Sequence, residues 1–274
     1  MTTEPLTPKR RLLASINKGW WFLAGGVTSA VIGAAVGIYV PKVLDPPDTR
    51  PIAVNVVSNP ATVDTWGSDE FGLVMPKDAK PAGQPPIGCS EIVDWARHNG
   101  AVDRDVSRVR LVVQGVTDQG VLIDNLRAKV IRHTRTPEPA GVELRCGGAQ
   151  GVATPRRVVI DLDAEEPAAA YAEEIAGRIP LFGFTLQKGE TEIFDLTATT
   201  KGTVEWVLEL DLVVGGERQT VEVTNRGASF MTTAWRSSRT YQVPAGTDYW
   251  VECSASVGTE CKENVSPVDF RYSS

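Results

Sequence analysis

Two histidines, His98 and His133, are all that this 274-residue chain contains, and no cysteine precedes Cys89. It has no Cys-x-x-Cys pair, no Gly-x-Ser-x-Gly and no nucleotide-binding loop. The first absence, with two histidines that lack metal-ligand spacing, argues against a zinc site. The second removes the usual serine-hydrolase elbow, and the histidines have no evident nucleophile or orienting partner for general-base work. Both read as surface or loop residues. Basic excess is missing too: 28 Lys and Arg face 34 Asp and Glu, a net charge of -6. Nucleic-acid binding needs a basic face that displaces counterions, so that class is set aside.

One absence is positive evidence. Residues 19 to 40 hold no charge, and Lys18 and Lys42 flank them. A bilayer core takes about 20 helical residues, so the run reads as a transmembrane helix. A cleaved signal has an h-region of about 7–15 residues and a small-x-small cleavage site. Here the exit is Gly37-Ile38-Tyr39-Val40-Pro41, which lacks that site, and a retained anchor is expected. Lys9, Arg10, Arg11 and Lys18 precede the span, which by the positive-inside rule keeps residues 1–18 in the cytoplasm. Trp20, Trp21 and Tyr39 stand at its two boundaries, where amphipathic rings prefer the headgroups. Ser29, Gly33 and Gly37 share one helix face with small-xxx-small spacing, which can form a homodimer seam. The same spacing also arises readily in a helix this rich in Ala and Gly. Everything from Pro41 onward is expected outside the cytoplasm, in the cell envelope.

Four cysteines, Cys89, Cys146, Cys253 and Cys261, all fall beyond the span, where disulfides persist. Three pairings are possible; proximity favours Cys253 with Cys261, which leaves Cys89 with Cys146. Residues 41–51 form a short, proline-stiffened spacer. The remaining roughly 220 residues suffice for one large core or two small ones, and a hydrophobic content of 42% argues against disorder.

The period-two pattern of Val204 to Leu212 is the clearest strand, with Gly215-Gly216 turning it into Arg218 to Thr224. A second hairpin is read at Asp118-Gln119-Gly120, joining Val109, Leu111 and Val113 to Leu126, Ala128 and Val130. Further strands are expected at Ile52 to Val57, Val142 to Cys146, Val158 to Leu162, Phe182 to Leu186 and Ile193 to Ala198. Short helices are expected at Glu91 to His98, capped by Ser90 and stopped by Gly100, and at Pro167 to Ala176. This pattern predicts an all-β fold, an antiparallel β-sandwich of jelly-roll or Ig-like type over residues 52–274. The alternative is two smaller β domains divided near 163–180. The sandwich is preferred because the strands before that stretch are too few to close a core.

Asp161, Asp163, Glu165 and Glu166 are the densest acidic group. Calcium loops return their ligands around a tight turn, usually with a glycine inside, and none lies here. The cluster reads as a solvated strand end and helix start. Paired carboxylates for glycoside hydrolysis need a set separation across a cleft, which spacing along one segment does not show. Trp235, Tyr241, Tyr249 and Trp250 with Arg236 crowd a turn-rich stretch, as aromatic and arginine side chains do at binding surfaces. They are the candidate ligand-binding residues; the competing reading has them pack on the Cys253 to Cys261 loop.

With the anchor, Ser107 to Gly115, Gly120 to Arg132 and Leu144-Arg145-Cys146-Gly147-Gly148-Ala149-Gln150-Gly151 in view, the chain resembles uncharacterised single-pass membrane proteins of actinomycete bacteria. The frequent Arg, Ala, Gly and Val agree with such a host. The resemblance implies no activity. The expectation is therefore a membrane-anchored extracytoplasmic binding or interaction module, with an envelope protein or polysaccharide as partner and no cofactor. The alternative is an anchored hydrolase acting on envelope glycan or peptide.

Overall fold

The computed structural model describes residues 50–62, 71–135, 140–146, 155–173, 182–235, 237, 239–244, 247–254 and 261–265. Residues 1–49, with the expected span and Ser29, Gly33 and Gly37, lie outside the described residues. No described helix is long and apolar enough to cross a membrane.

The described chain is mostly strand. In order it forms β1 (Ile52–Val57), a 3-10 turn (Pro60–Thr62), β2 (Phe71–Pro76), α1 (Cys89–His98), β3 (Val102–Arg104) and β4 (Val106–Gly115). Then come β5 (Val121–Thr134), β6 (Ala140–Cys146), β7 (Arg156–Asp161), β8 (Ala170–Tyr171), β9 (Phe184–Leu186) and β10 (Thr191–Thr199). The rest are β11 (Thr203–Val214), β12 (Glu217–Val223), β13 (Phe230–Thr233), β14 (Arg239–Val243), β15 (Trp250–Ser254) and β16 (Cys261–Val265).

Two sheets hold these strands. The smaller runs β1-β4-β10-β7-β8; the larger runs β16-β15-β14-β6-β2-β3-β13-β11-β5-β9, with β12 paired to β11. Both are mixed rather than antiparallel throughout, because β10 and β7, β13 and β3, and β14 and β6 pair in parallel. Nothing in a strand's own side-chain pattern distinguishes those arrangements when one face is buried.

A first lobe packs the small sheet against β5, β9, β11, β12 and β13. Its core takes Val109, Leu111, Val113, Phe194 and Leu196 from one sheet and Leu126, Trp206, Leu208, Leu210 and Leu212 from the other. Every even position of the 204–212 pattern is fully buried, as the alternation requires. Trp206 stacks on Phe230 with ring centroids 4.6 Å apart, and its indole N–H donates to Thr232 Oγ1 at 2.9 Å. That hydrogen bond lets an indole sit in an apolar core without a lost partner. The Gly215-Gly216 turn has φ of 58° and 87°, the pair of positive dihedrals that a two-residue hairpin demands.

The expected hairpin at 118–120 is instead an arch. β4 lies in the small sheet and β5 in the large one, so the chain crosses the core there rather than turning back beside itself. Both geometries aim alternate side chains at one core, which is why periodicity cannot separate them. The helix expected from Pro167 to Ala176 is also replaced over its described residues, 167–173. Ala128 N donates to the Pro167 carbonyl and Ala169 N to the Leu126 carbonyl, after which Ala170–Tyr171 pairs with β7. This segment passes from the edge of β5 to the edge of the small sheet and closes that side of the lobe; Ala169 joins the core. Pairing with two unsatisfied strand edges outweighs the local helix signals.

A second lobe gathers β2, β6, β14, β15 and β16 with α1. Its core holds Phe71, Leu73, Met75, Ile92, Ala96, Leu144, Tyr241 and Trp250. α1 begins at Cys89 with Gly88 at the N-cap position, and no side chain caps it; Ser90, the expected cap, is already helical. Its end follows expectation. Gly100 has φ 85°, Ala101 N donates to the Ala96 carbonyl and Gly100 N to the Arg97 carbonyl. These are the two bonds of a Schellman motif, and buried Ala101 and Ala96 provide its apolar contact. Both expected disulfides are present, Cys89–Cys146 and Cys253–Cys261. The first ties the start of α1 to the end of β6, and the second links β15 to β16.

The lobes join where β3 becomes β4. Asp105 between them has φ 62°, and its N–H donates to the Thr233 carbonyl at 2.6 Å. Beside it, Arg104 pairs with Asp105 and with Glu143, which is almost fully buried and also accepts from Arg145. Burial works against the Arg104 charge, but the hydrogen bond and attraction of Glu143 and Asp105 outweigh it, and the pKa is raised above the ordinary arginine value.

Candidate functional site

β1 is an edge strand of the small sheet. Its register with β4 pairs Ile52 with Gly115 and Val57 with Arg110, and the Pro51 carbonyl accepts from Val116 N at 3.0 Å. Antiparallel pairs alternate between hydrogen-bonded and non-bonded. Pro51, Ala53, Asn55 and Val57 therefore bond to β4, while Ile52, Val54 and Val56 turn their N–H and C=O groups to the open side. Gly115 supports this assignment, because its N–H donates to the Glu190 carbonyl on its other flank. A Cβ at Gly115 would collide with the Gln187 carbonyl, so glycine is needed at that crossing.

Along this open side runs a groove of about 920 Å³. Its floor is Val54 to Asn59. One wall is the exposed side of α1 with Ser90, Asp94, Arg97 and His98; the other is the β12–β13 turn, Thr224 to Arg226. Hydrogen bonds fix the walls. Arg97 donates to Ser58 Oγ at 3.0 Å and to Asp103 Oδ1 at 2.6 Å, and Ser58 Oγ donates to Asn225 Oδ1 at 2.9 Å. The Asn59 amide donates to the Ser90 carbonyl at 3.0 Å. Arg226 holds φ 55°, so the turn has a defined shape. Asp94 and His98 are exposed, and His98 has no hydrogen-bond or ion-pair partner among the described residues.

The aromatic candidates lie elsewhere. Tyr241 and Trp250 are together but buried, at 0% and 1% exposure, inside the second core. The Tyr241 hydroxyl donates to Glu252 Oε1 at 3.1 Å. Two rings so placed serve packing and offer no face to a ligand. Trp235 and Tyr249 are half-buried, and Arg236 lies outside the described residues. The stretch read as turn-rich supplies β14 and the first residue of β15.

Among the described residues no nucleophile, base and orienting group come together. His133 Nε2 lies 3.1 Å from Asp163 Oδ1, and Thr200 Oγ1 donates to that same oxygen at 2.8 Å. A nucleophile has to bond to the imidazole, with the carboxylate behind it; here the hydroxyl and the imidazole share the carboxylate. Asp163 Oδ2 accepts from Lys201 N at 2.6 Å, so the residue braces the β10–β11 turn. Asp161 Oδ1 accepts from Asp163 N at 3.0 Å. Among the described residues no group of three His, Cys, Asp or Glu is placed to hold a metal ion.

No protein-family model, curated protein or solved structure matches the chain.

The outer face of β5, β11 and β12 is a ladder of charges. Arg127 reaches Glu209 and Asp211, Lys129 reaches Glu222, and Arg132 reaches Glu205. Partial burial raises the Asp211 pKa, but hydrogen bonds from Thr220 and Arg127 outweigh that and hold it below the ordinary carboxylate value. Opposite charges across neighbouring strands satisfy one another, so this face is self-complementary. The groove residues left no comparable trace in the sequence, because they come from three separated segments. The one available signal was the uncharged run Ile52 to Val57, which lacks the Lys or Pro that usually guards an edge.

Proposed function

We propose that the protein is a membrane-anchored extracytoplasmic binding or interaction module, with an envelope protein or polysaccharide as its partner. The groove carries this reading: it is open, its walls are held by hydrogen bonds, and its lining offers donors and acceptors without a nucleophile joined to a base. Specific binding needs just such fixed polar groups around a concavity. The two disulfides agree with an oxidising compartment, and the charge-free run at 19–40 supplies the anchor. Two sheets sharing one core support a sandwich for the first lobe.

The test uses the full chain in detergent, presented to immobilised envelope polysaccharide and to fractionated envelope proteins. Saturable binding that weakens at least tenfold in Asn59→Ala with His98→Ala is expected. Undiminished binding in that double variant would remove the groove from the reading, and hydrolysis of either material would replace it with the enzyme. Protease added to intact cells should degrade residues beyond 50 and spare the amino-terminal tail.

A further inference from the structure

The open sides of the first lobe are not alike. One is closed by the 167–171 crossing. On the other, two edges remain among the described residues, β12 and β1. β12 reads Glu-Arg-Gln-Thr-Val-Glu-Val, and its charges at 217, 218 and 222 make it a poor template for another strand. β1 reads Ile-Ala-Val-Asn-Val-Val, with no charge and no internal proline. Its outward N–H and C=O groups at Val54 and Val56 face a groove, with no strand paired to them among the described residues.

Resting on the binding-module reading, we propose that this groove takes an extended polypeptide segment of a partner protein by strand addition to β1. Backbone hydrogen bonds to Val54 and Val56 would supply affinity, and alternate side chains would supply specificity. Residues of the added strand that point toward the core side meet Val54 and Val56, which are half-buried against the first core, and so are small and apolar. Those on the opposite side meet Asn55, which is exposed. The hydrogen-bonding walls at Asn59, Asp94, His98 and Asn225 favour polar ends. A walled groove admits one free strand. The edge of a second copy would bring its own α1 and 224–226 turn against these walls, so a single segment fits better than a dimer across β1.

The geometry provides a selective test. Proline at residue 54 removes an N–H that β4 does not use, and proline is tolerated at edge positions of that kind. Proline at residue 55 removes one that β4 does use. Peptides of seven residues are selected from a random library on the full chain in detergent, then remade with a single N-methyl group at each position in turn. Expected are binders whose affinity falls roughly tenfold or more when alternate amides are methylated, and little at the positions between. Val54→Pro should lose the same peptides by a similar factor while keeping the wild-type unfolding temperature; Asn55→Pro should lower that temperature. Should Val54→Pro fail to fold, the N-methyl scan on the wild-type chain decides alone.

Binders indifferent to every N-methyl group, or held equally by a folded Val54→Pro variant, would overturn strand addition. A library that yields no binders while polysaccharide or an envelope protein still binds at Asn59 and His98 would overturn it too, leaving the binding-module reading in place. Loss of all binding would overturn both. Concentration-dependent self-association abolished by Val54→Pro would assign the edge to a second copy and overturn the peptide.

Discussion

Among the described residues the first lobe encloses twenty-four buried hydrophobic residues between two sheets and contains no disulfide, whereas the second has fourteen and carries both. The larger set is a two-layer core that buries Trp206 completely, with long strands on either side. The smaller one has short strands covered by a ten-residue helix, and Cys146 is itself a member of its core. Small cores remove too little apolar surface to offset chain entropy and come to depend on cross-links. In this chain the covalent bonds sit where the hydrophobic term is weakest. The disulfide closing the longer loop, 57 residues in sequence separation, contributes the more in a chain-entropy account.

That contrast can be broken in several ways. Trp206→Ala would remove a fully buried ring and its hydrogen bond to Thr232; a loss of about 3–5 kcal/mol in denaturant unfolding is expected. Next comes the joint: Glu143→Leu would leave the partly buried Arg104 and Arg145 facing an apolar group, a cost of about 3 kcal/mol. Replacing Cys89 and Cys146 by serine should cost about 2–4 kcal/mol. Hydrogen exchange should then speed up in β2, β6 and β14 and stay slow in β4, β10 and β11. Equal acceleration in both sets would show that the lobes open as one unit and that the contrast has no energetic meaning. Gly100→Ala would force a left-handed dihedral on a residue with a Cβ and should cost about 1 kcal/mol.

The smallest effect is electrostatic and belongs to the first lobe. Asp211 has a depressed pKa when folded. Its contribution is therefore complete above the unfolded value, ordinarily near 3.8, and is lost as pH falls from there through the folded value. Asp211→Asn should flatten the acid limb of a stability-versus-pH curve by lowering its neutral plateau slightly, while leaving the strongly acidic end, where the carboxyl is protonated, almost unchanged. An acid limb identical to wild type would mean that Thr220 and Arg127 hold the carboxylate no better than water does.

The first lobe was the more legible in sequence. Alternation at 204–212, the Gly-Gly turn and the apolar runs of β1, β4, β7 and β10 each state one strand and its buried face. The second lobe was obscured, because β14 to β16 are short, rich in polar residues and close to glycine and proline, so their aromatics read as surface features. Periodicity reports which face is buried but not which strand lies alongside. The arch after β4 and the parallel pairs were hidden for that reason. The disulfide partners were readable since an even count and one short separation constrain the choice. The groove was not, as Asn59, His98 and Asn225 converge only after folding.

At Asp105 the backbone adopts a mirror-handed dihedral, and residues on its two sides belong to different sheets. The chain consequently visits the two lobes by turns, and no uninterrupted stretch carries either one entire. Truncations designed to localise an interaction would sever partners in both halves and register misfolding as apparent loss of contact. Point substitutions in the intact polypeptide are the appropriate mapping tool for this architecture.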